Sequence, residues 1–364
     1  MSKRVLLVGP INAQGLGGRY EEMKVWATLL EECQFDVTVF SMFNSRFSMG
    51  SAQMYESAAL IWPFFWKAFA PFRKFSVRFW GSRWFKTRRD TFFDTWEWAE
   101  FASGFDHIVL FITHQSRELR IFESDLTVPI SVRFTGTIHD FSALQRHASL
   151  PDSLPRNYIF HSTFLAKGLN TTIRKVFIDQ TTLAEQALLN NEITGQLKVF
   201  GMIGLFMEVK QMDQVIELFE EFPEFRLKIF GIGELQSQFE RLIQESNLKN
   251  VELGGFVPPS RIDGLYADID CLIINSKEET GPMTGIEAMA AGKLILSKPV
   301  GAMADRLPDN GSIFVSIDDL KRKILQLSGL PADEILQAKT VLRERYRKNY
   351  SISVLKSAIE DLVA

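Results

Sequence analysis

Apolar positions near the start of the chain follow two different patterns. Arg4 to Val8 and Phe35 to Phe40 form short, nearly continuous apolar runs, which are typical of buried strands. Between them, Tyr20 to Glu32 places its apolar residues at helical spacing. A strand, a helix and a second strand in this order predict the start of a parallel sheet. Further strand candidates in this half are His107 to Ile112, Pro129 to Phe134, Tyr158 to His161 and Lys175 to Ile178.

After a polar stretch near Gln180 to Gln196, strand and helix patterns alternate at short intervals up to Ser297. Such alternation predicts a doubly wound parallel sheet. The strands expected here are 198–203, 226–230, 251–253, 270–275 and 293–297, and the helices are 212–222, 235–245, 260–266 and 285–291.

The chain has 364 residues, more than one hydrophobic core usually serves, so we expect two Rossmann-like domains and an α/β fold. The N-terminal domain is expected at 1–180, with an aromatic and basic helical insertion at 57–98. The C-terminal domain is expected at 195–335, and the charged helical residues 336–364 are expected to cross back to the N-terminal domain.

The amino-acid composition and the net charge exclude some classes of protein. Hydrophobic residues make up 46% and charged residues 23%, which is ordinary for a packed globular protein. The net charge of −3 argues against a nucleic-acid partner, because nucleic-acid binders usually carry a basic surplus. Cys33 and Cys271 lack metal-ligand spacing and are interpreted as small buried hydrophobes. Since no signal-peptide pattern is present at the start, we expect a cytoplasmic protein.

The densest chemical signal is a pair of carboxylates. Glu279 and Glu287 are separated by seven residues, in a loop that enters a helix. Glu279 is expected just beyond the carboxyl end of a strand, where α/β folds bind ligands. Glu287 is expected in the first turns of the helix, whose N-terminus favours an anion. Carboxylates suit sugar hydroxyls, since each accepts two hydroxyl protons in a bidentate way.

This stretch resembles the Glu-(seven)-Glu signature of retaining GT-B glycosyltransferases of group 1, in the variant whose loop reads Glu-x-x-Pro-Met. The resemblance implies two Rossmann-like domains facing across a cleft, with an N-terminal acceptor-binding domain and a C-terminal domain for a nucleotide-sugar donor. It also implies that Glu279 lies at the donor sugar and that Glu287 binds the nucleotide ribose. The alternative is a capped surface helix after a buried strand.

Other stretches match the same family in the right order. Residues 202–213 resemble the strand, loop and helix that receive the donor diphosphate, and 227–234 with 250–257 resemble the region around the nucleobase. The N-terminal glycine loop resembles one that approaches the donor phosphates, because glycine lets the backbone come close to a ligand. The resemblance thus implies a donor-binding set of Gly17, Gly18, Arg19, Gly204, Gly233, Val257, Gly281, Pro282, Met283, Thr284 and Glu287.

One position departs from the family pattern. Where the family usually has an arginine after the glycine aligned with Gly204, this chain has Leu205; the paired lysine is kept as Lys210. Losing one charged donor to a developing anion typically costs about 2.7–4 kcal/mol. Either another cation substitutes or catalysis is impaired. Arg19 is a candidate substitute, and a solvated arginine at the start of a helix is the alternative.

The resemblance implies transfer with retention of the anomeric configuration, without a metal or another cofactor, the nucleotide sugar being the co-substrate. Glu279, Lys210 and His139 are the expected catalytic residues. His139 follows a strand and a turn about where the family brings a histidine to the sugar, although a surface histidine is the alternative. Asp268-Ile-Asp270 spells the Asp-x-Asp of metal-dependent sugar transferases, but a buried strand is expected to begin there.

The stretch from Ser57 to Arg89 combines aromatic and basic residues. It holds four tryptophans, seven phenylalanines and eight lysines or arginines, and no acid. Such a composition suits an interfacial helix, since rings sit at headgroup depth and cations meet anionic lipid. The alternative is a helical subdomain whose aromatic face packs on the first sheet. An interfacial surface would place the protein on the inner face of the membrane.

The sequence therefore predicts a retaining glycosyltransferase that moves a sugar from a UDP- or GDP-type donor to a glycan or lipid-linked acceptor, in assembly of surface polysaccharide or glycolipid. The alternative is a non-catalytic GT-B-like protein with a decayed donor site, acting as a binding or membrane-associated partner. Leu205 favours that alternative, and the intact Glu279, Glu287 and Lys210 oppose it.

Overall fold

The computed structural model describes residues 2–9, 18–41, 53–56, 96–112, 127–136, 156–307 and 311–364. The chain forms two compact units. The first unit comprises Met1–Phe160, Ala166–Ile178 and Lys356–Ala364, and the second comprises His161–Leu165 and Asp179–Leu355.

The first unit is built on a parallel sheet. Its described elements are β1 (Arg4–Gly9), α1 (Gly18–Glu32), β2 (Asp36–Ser41), β3 (Gln53–Glu56), α2 (Trp96–Ser103), β4 (His107–Ile112), β5 (Ile130–Phe134), β6 (Arg156–Phe160) and β7 (Arg174–Phe177). In the part of the chain described, seven strands pair in the order β3-β2-β1-β4-β5-β6-β7. Strand β3 was not among the sequence predictions, and α2 begins in the last residues of the predicted helical insertion 57–98.

The second unit contains a smaller parallel sheet, of five described strands in the order β10-β9-β8-β11-β12. Its strands are β8 (Val199–Ile203), β9 (Arg226–Phe230), β10 (Val251–Gly255), β11 (Cys271–Ile274) and β12 (Leu294–Ser297). Its helices are α3 (Glu185–Leu189), α4 (Met212–Leu218), α5 (Gln236–Glu245), α6 (Ile262–Ala267), α7 (Met283–Ala290), α8 (Met303–Arg306), α9 (Ile317–Ser328), α10 (Ala332–Asn349) and α11 (Ile352–Val363). Helix α11 continues into the residues of the first unit from Lys356 onward.

These two parallel sheets confirm the predicted α/β architecture. Both sheets run outward from a central pair, β1 beside β4 and β8 beside β11, as doubly wound folds do. Strand β4 is buried at all six positions, because helices cover both faces of such a sheet, and this explains its continuous apolar run. On one face, Trp26 of α1 packs edge-on against Phe111 of β4, with ring centroids 5.6 Å apart.

One buried ion pair interrupts the apolar core of the first unit. Arg133 of β5 is fully buried, and its Nε donates to Oε1 of Glu22 at 2.6 Å. The guanidinium also donates to the carbonyl of Ile178. A buried charge of this kind is tolerated when it is paired and hydrogen-bonded.

The second sheet reverses its strand order between β8 and β11. The loops that leave these two neighbouring strands diverge, and the crevice at such a reversal is where open α/β sheets bind ligands. Residues 204–211 follow β8 and residues 275–282 follow β11. The predicted site residues of the C-terminal half lie mainly on these two loops.

Candidate functional site

An ion pair joins the two loops at the strand-order reversal. Lys210 ends a short 3₁₀ turn (Glu208–Lys210) after β8, and Glu279 follows β11. The Lys210 ammonium donates to Oε1 of Glu279, and the Ser276 hydroxyl donates to the same oxygen at 2.9 Å. The two charged side chains are 24% and 18% exposed, so the pair is shielded from bulk solvent but open to a ligand.

Glycines let three loops at this sheet edge stack backbone on backbone. Gly204 and Gly231 both have positive φ angles, of 152° and 143°. A Cβ atom at Gly231 would overlap the carbonyl oxygen of Gly204, and one at Gly233 would lie 2.5 Å from the carbonyl oxygen of Phe206. The Gly231 amide donates to the carbonyl of Gly255 at 2.8 Å. Packing therefore requires glycine at 231 and 233, whatever these positions contact in a ligand.

Glu287 lies in the second turn of α7 and is held by a tyrosine of the preceding helix. The Tyr266 hydroxyl of α6 lies 3.0 Å from Oε2 of Glu287 and 3.0 Å from the carbonyl oxygen of Thr284. Tyr266 is fully buried, and this burial, together with the nearby Glu287 charge, raises the pKa of its phenol well above its usual range. The hydroxyl thus stays protonated and remains a donor to the carboxylate. Sequence patterns did not single out Tyr266, because it lies 21 residues before Glu287.

The entry to α7 is fixed by a buried arginine. Arg306 of α8 is fully buried, and its Nη1 donates to the Pro282 carbonyl at 2.6 Å. Its Nε and Nη2 donate to the two carboxylate oxygens of Asp179 at 2.9 and 2.6 Å. Nη2 also lies 2.9 Å from Oε1 of Gln180. A Cβ at Gly281 would lie 2.8 Å from that same Oε1, so a larger residue here would displace the Gln180 side chain.

The other predicted donor residues have simpler surroundings. Met283 and Thr284 are half-buried in the first turn of α7, and Val257 is half-buried two residues after β10. Leu205 is 46% exposed on the loop after β8. A further lysine, Lys298, lies directly after β12 and donates to Oε1 of Gln211 at 2.7 Å. Partial burial and the nearby Lys277 lower the pKa of Lys298.

The N-terminal candidates are only partly covered by the described residues. Gly18 is the first residue of α1, and a Cβ there would have no described residue within 4 Å. Arg19 is the second residue of α1. Gly17 and His139 lie outside the described residues.

Both aspartates of the Asp-x-Asp motif contact groups of the protein itself. Asp270 Oδ2 accepts hydrogen bonds from the backbone amides of Lys198 and Val199, at 2.9 and 3.0 Å. The Asp268 carboxylate lies 3.1 Å from the Lys228 ammonium. Asp270 precedes β11, so both aspartates lie at the amino end of that strand, whereas Glu279 follows its carboxyl end.

Two further predictions concern burial and the membrane. Cys271 is buried, as predicted, but Cys33 is half-buried because α1 ends at Glu32 and Cys33 lies in the turn that follows. No helix in the described part of the chain is long and apolar enough to cross a membrane. The stretch from Ser57 to Arg89 lies outside the described residues.

Comparisons with known proteins find similarity to glycosyltransferases in the second unit. Residues 187–348 match the family of glycosyl transferases group 1. An uncharacterized glycosyltransferase of Methanocaldococcus jannaschii is 29% identical over 133 residues, which cover 35% of this chain and 38% of the relative. The alpha-galactosylglucosyldiacylglycerol synthase of Streptococcus pneumoniae is 29% identical over 149 residues, which cover 39% of this chain and 40% of the synthase. The alignments thus span about two fifths of the length of these relatives.

A solved structure matches over nearly the whole chain. The structure of S. aureus TarM with fondaparinux, alpha-GlcNAc-glycerol and UDP gives a TM-score of 0.71 at 11% identity, covering 99% of each chain. At this identity the match shows the fold alone, which is GT-B, as predicted.

Proposed function

We propose that this chain, whose residues 187–348 form a glycosyl transferases group 1 domain, is a retaining glycosyltransferase. It would move a sugar from a nucleotide-sugar donor to a hydroxyl of a glycan or lipid-linked acceptor. This transfer would serve the assembly of surface polysaccharide or glycolipid.

The observation that carries this proposal is the convergence of Lys210, Glu279 and Glu287 at one edge of the second sheet. Lys210 and Glu279 pair across the strand-order reversal, and Glu287 lies on the helix that the same loop enters. A cation beside a carboxylate suits a ligand that has both a diphosphate and sugar hydroxyls. A helix N-terminus next to them adds backbone N–H groups for the diphosphate.

Each residue then has a distinct role in the reaction. Lys210 stabilises the departing diphosphate, Glu279 holds the donor sugar, and Glu287 holds the ribose. Because the diphosphate leaves from one face and the acceptor hydroxyl attacks on that same face, the anomeric configuration is retained. Positioning and electrostatic stabilisation of the leaving group supply most of the rate, without a metal. The N-terminal candidates Gly17, Gly18, Arg19 and His139 would complete the donor and acceptor sites.

A lipid-linked acceptor fits two observations. The Streptococcus pneumoniae relative is named for a diacylglycerol glycolipid. The stretch from Ser57 to Arg89 has the aromatic and basic composition of an interfacial surface. We therefore propose a cytoplasmic protein that attaches peripherally to anionic lipid.

A second candidate function follows from Leu205. Without the usual arginine, the diphosphate site has one fewer charged donor, and a GT-B protein with a decayed donor site would serve as a binding partner only. This candidate predicts binding of a partner or a membrane without sugar transfer.

The proposal is tested in two steps on the full chain. A thermal-shift screen against UDP, GDP and their common sugars identifies the donor, because a ligand that binds only the folded state raises the melting temperature. Incubation of that donor with lipid-linked and free glycan acceptors, followed by NMR of the product anomer, measures transfer and its stereochemistry. Retained configuration, unaffected by a chelator, is the expected result. An inverted product would overturn the retaining mechanism, and binding without transfer would favour the non-catalytic candidate.

A further inference from the structure

Resting on the proposed function, we propose that Tyr266 is a positioning residue that sets recognition of the nucleotide ribose through Glu287. Its hydroxyl lies 3.0 Å from Oε2 of Glu287, and the two residues come from consecutive helices, α6 and α7. Tyr266 is fully buried, whereas Glu287 is half-buried. The tyrosine therefore reaches the carboxylate from inside the protein and is not itself a ligand contact.

The same hydroxyl also lies beside the first turn of α7, so its one proton is shared between two acceptors. It lies 3.0 Å from the carbonyl oxygen of Thr284, three residues before Glu287. One phenol thus contacts both the backbone at the helix start and the side chain one turn later. Because a bond to an ionised acceptor is the stronger kind, it restricts the rotation of the Glu287 carboxylate.

A fixed carboxylate orientation matters for a diol. Bidentate recognition needs the carboxylate plane aligned with the two hydroxyls, so that each oxygen accepts from one of them. A carboxylate accepts about four hydrogen bonds in total, so the bond from Tyr266 is compatible with a ribose diol at the same group. Loss of the tyrosine hydroxyl would leave the carboxylate in place with one hydrogen bond fewer to fix its orientation, and discrimination between ribose and deoxyribose would fall.

The second unit offers a matched control. Tyr346 of α10 is also fully buried, and its hydroxyl lies 2.8 Å from Oε2 of Glu185. Glu185 opens α3, which is not part of the candidate site. Tyr346→Phe therefore removes a buried tyrosine-to-carboxylate bond of the same chemistry elsewhere in the same unit.

The test compares UDP and GDP with their 2′-deoxy and 3′-deoxy forms by calorimetry, using whichever nucleotide binds the wild-type chain. We expect Tyr266→Phe to lower the ribose-to-deoxyribose affinity ratio roughly three- to tenfold, as one hydrogen bond is worth. The donor KM should rise while kcat changes little. Tyr346→Phe should lower thermal stability but leave the ratio unchanged. Glu287→Ala should remove the discrimination altogether.

Each outcome decides a separate claim. A normal ratio in Tyr266→Phe, with discrimination lost in Glu287→Ala, would overturn the role of Tyr266 and leave the proposed function intact. A wild-type chain that binds none of these nucleotides would overturn the proposed function, and this inference with it. If Tyr266→Phe does not fold, 3-fluorotyrosine at this position gives a second measurement. Its ¹⁹F resonance should shift with the ribonucleotide and not with the 2′-deoxy form, and equal shifts would contradict the proposal.

Discussion

Lys210 and Glu279 form an ion pair across the strand-order reversal of the second sheet, although 69 positions separate them in the sequence. Each residue lies on a loop whose course is fixed by its own strand. The pair therefore depends on the fold rather than on local sequence. It also links the two loops that we propose hold the leaving group and the sugar.

The first prediction concerns this pair. Lys210→Ala and Glu279→Ala should each lower kcat more than they change donor affinity, because their proposed partners exist fully only during transfer. The double variant should lose less than the sum of the two single losses, since the residues contact each other. Steady-state kinetics measure this. Lys277→Ala removes an exposed ion pair, with Glu208, between the same two loops; it is the control and should keep wild-type turnover. Wild-type turnover in both site variants would displace the proposed active site.

Glu287→Ala should weaken nucleotide binding by about 10- to 150-fold, because it removes a charge-assisted bond worth roughly 1.5–3 kcal/mol. Isothermal calorimetry with the donor nucleotide measures the change. Glu334→Ala, at an exposed position in the first turn of α10, should bind normally. Unchanged affinity in Glu287→Ala would contradict the ribose assignment.

Leu205→Arg tests the missing cation by restoring it. Leu205 is 46% exposed on its loop, so the substitution creates no cavity in the core. If the diphosphate leaves beside this loop, the added arginine should raise kcat by up to about a hundredfold, from the usual worth of one charged donor. Leu205→Gln, of similar length without the charge, should not. A gain in neither variant would contradict a leaving diphosphate beside this loop that lacks a second cation, and Arg19→Ala would then test whether Arg19 supplies one.

His107 should make the first unit sensitive to acid. Burial, and secondarily the charge of Lys3, lower the pKa of His107 to about 4, and its ring lies 2.9 Å from the Ser131 hydroxyl. Between pH 6.5 and pH 4 the unfolded chain binds a proton that the folded chain does not, so the free energy of unfolding should fall as pH is lowered through this window. The loss should reach about 3 kcal/mol at most.

Hydrogen exchange of the β1 and β4 amides at pH 7 and pH 4.5 measures this loss. His107→Gln keeps a polar partner for Ser131 but does not titrate, and it should show a smaller difference between the two pH values. An equal difference in both proteins would assign the acid sensitivity to other groups.

The stretch from Ser57 to Arg89 should bind anionic vesicles if it forms an interfacial surface. Pelleting should fall with salt, because exposed charges are screened within about 10 Å at 0.1 M ionic strength. Neutralising Arg73, Lys74 and Arg78 together should reduce it, at roughly 1 kcal/mol per cation. Trp80→Ala and Trp84→Ala should reduce it further without unfolding. If those rings instead pack in a core, the same variants should lose about 3–5 kcal/mol of stability and the protein should ignore vesicles.

The strands were predictable because a strand buried on both faces of a sheet has a continuous apolar run in its sequence. Strand β9 begins and ends where the apolar pattern places it, and β4 does so as well. The ends of the helices were less predictable than those of the strands. The predicted helix 212–222 ends at Leu218 and continues as a 3₁₀ turn (Phe219–Glu221), because the residue before Pro223 is disfavoured in helical conformation. Strand β3 reads Gln-Met-Tyr-Glu and lacks the continuous apolar run of the predicted strands.

The placement of Glu279 and Glu287 relative to β11 and α7 followed from the order of elements alone. Their partners did not. Arg306 holds Asp179 across 127 positions, and no spacing rule connects them. Tyr266 likewise contacts Glu287 only because α6 packs beside α7 in the folded chain. Long-range contacts of this kind depend on tertiary packing, on which periodicity carries no information.

Because the last residues belong to the first unit, they limit where the chain can be divided into expression fragments. Residues 356–364 belong to the first unit, where Lys356 lies 3.1 Å from the Glu32 carboxylate and Lys3 donates to the backbone carbonyl of Ala364. An expression fragment that stops after residue 178 would lack this piece of its own unit. A separately produced N-terminal half therefore needs the peptide 356–364 supplied in trans or fused by a linker. A bulky fusion after residue 364 would disturb the first unit, although it is attached at the far end of the sequence.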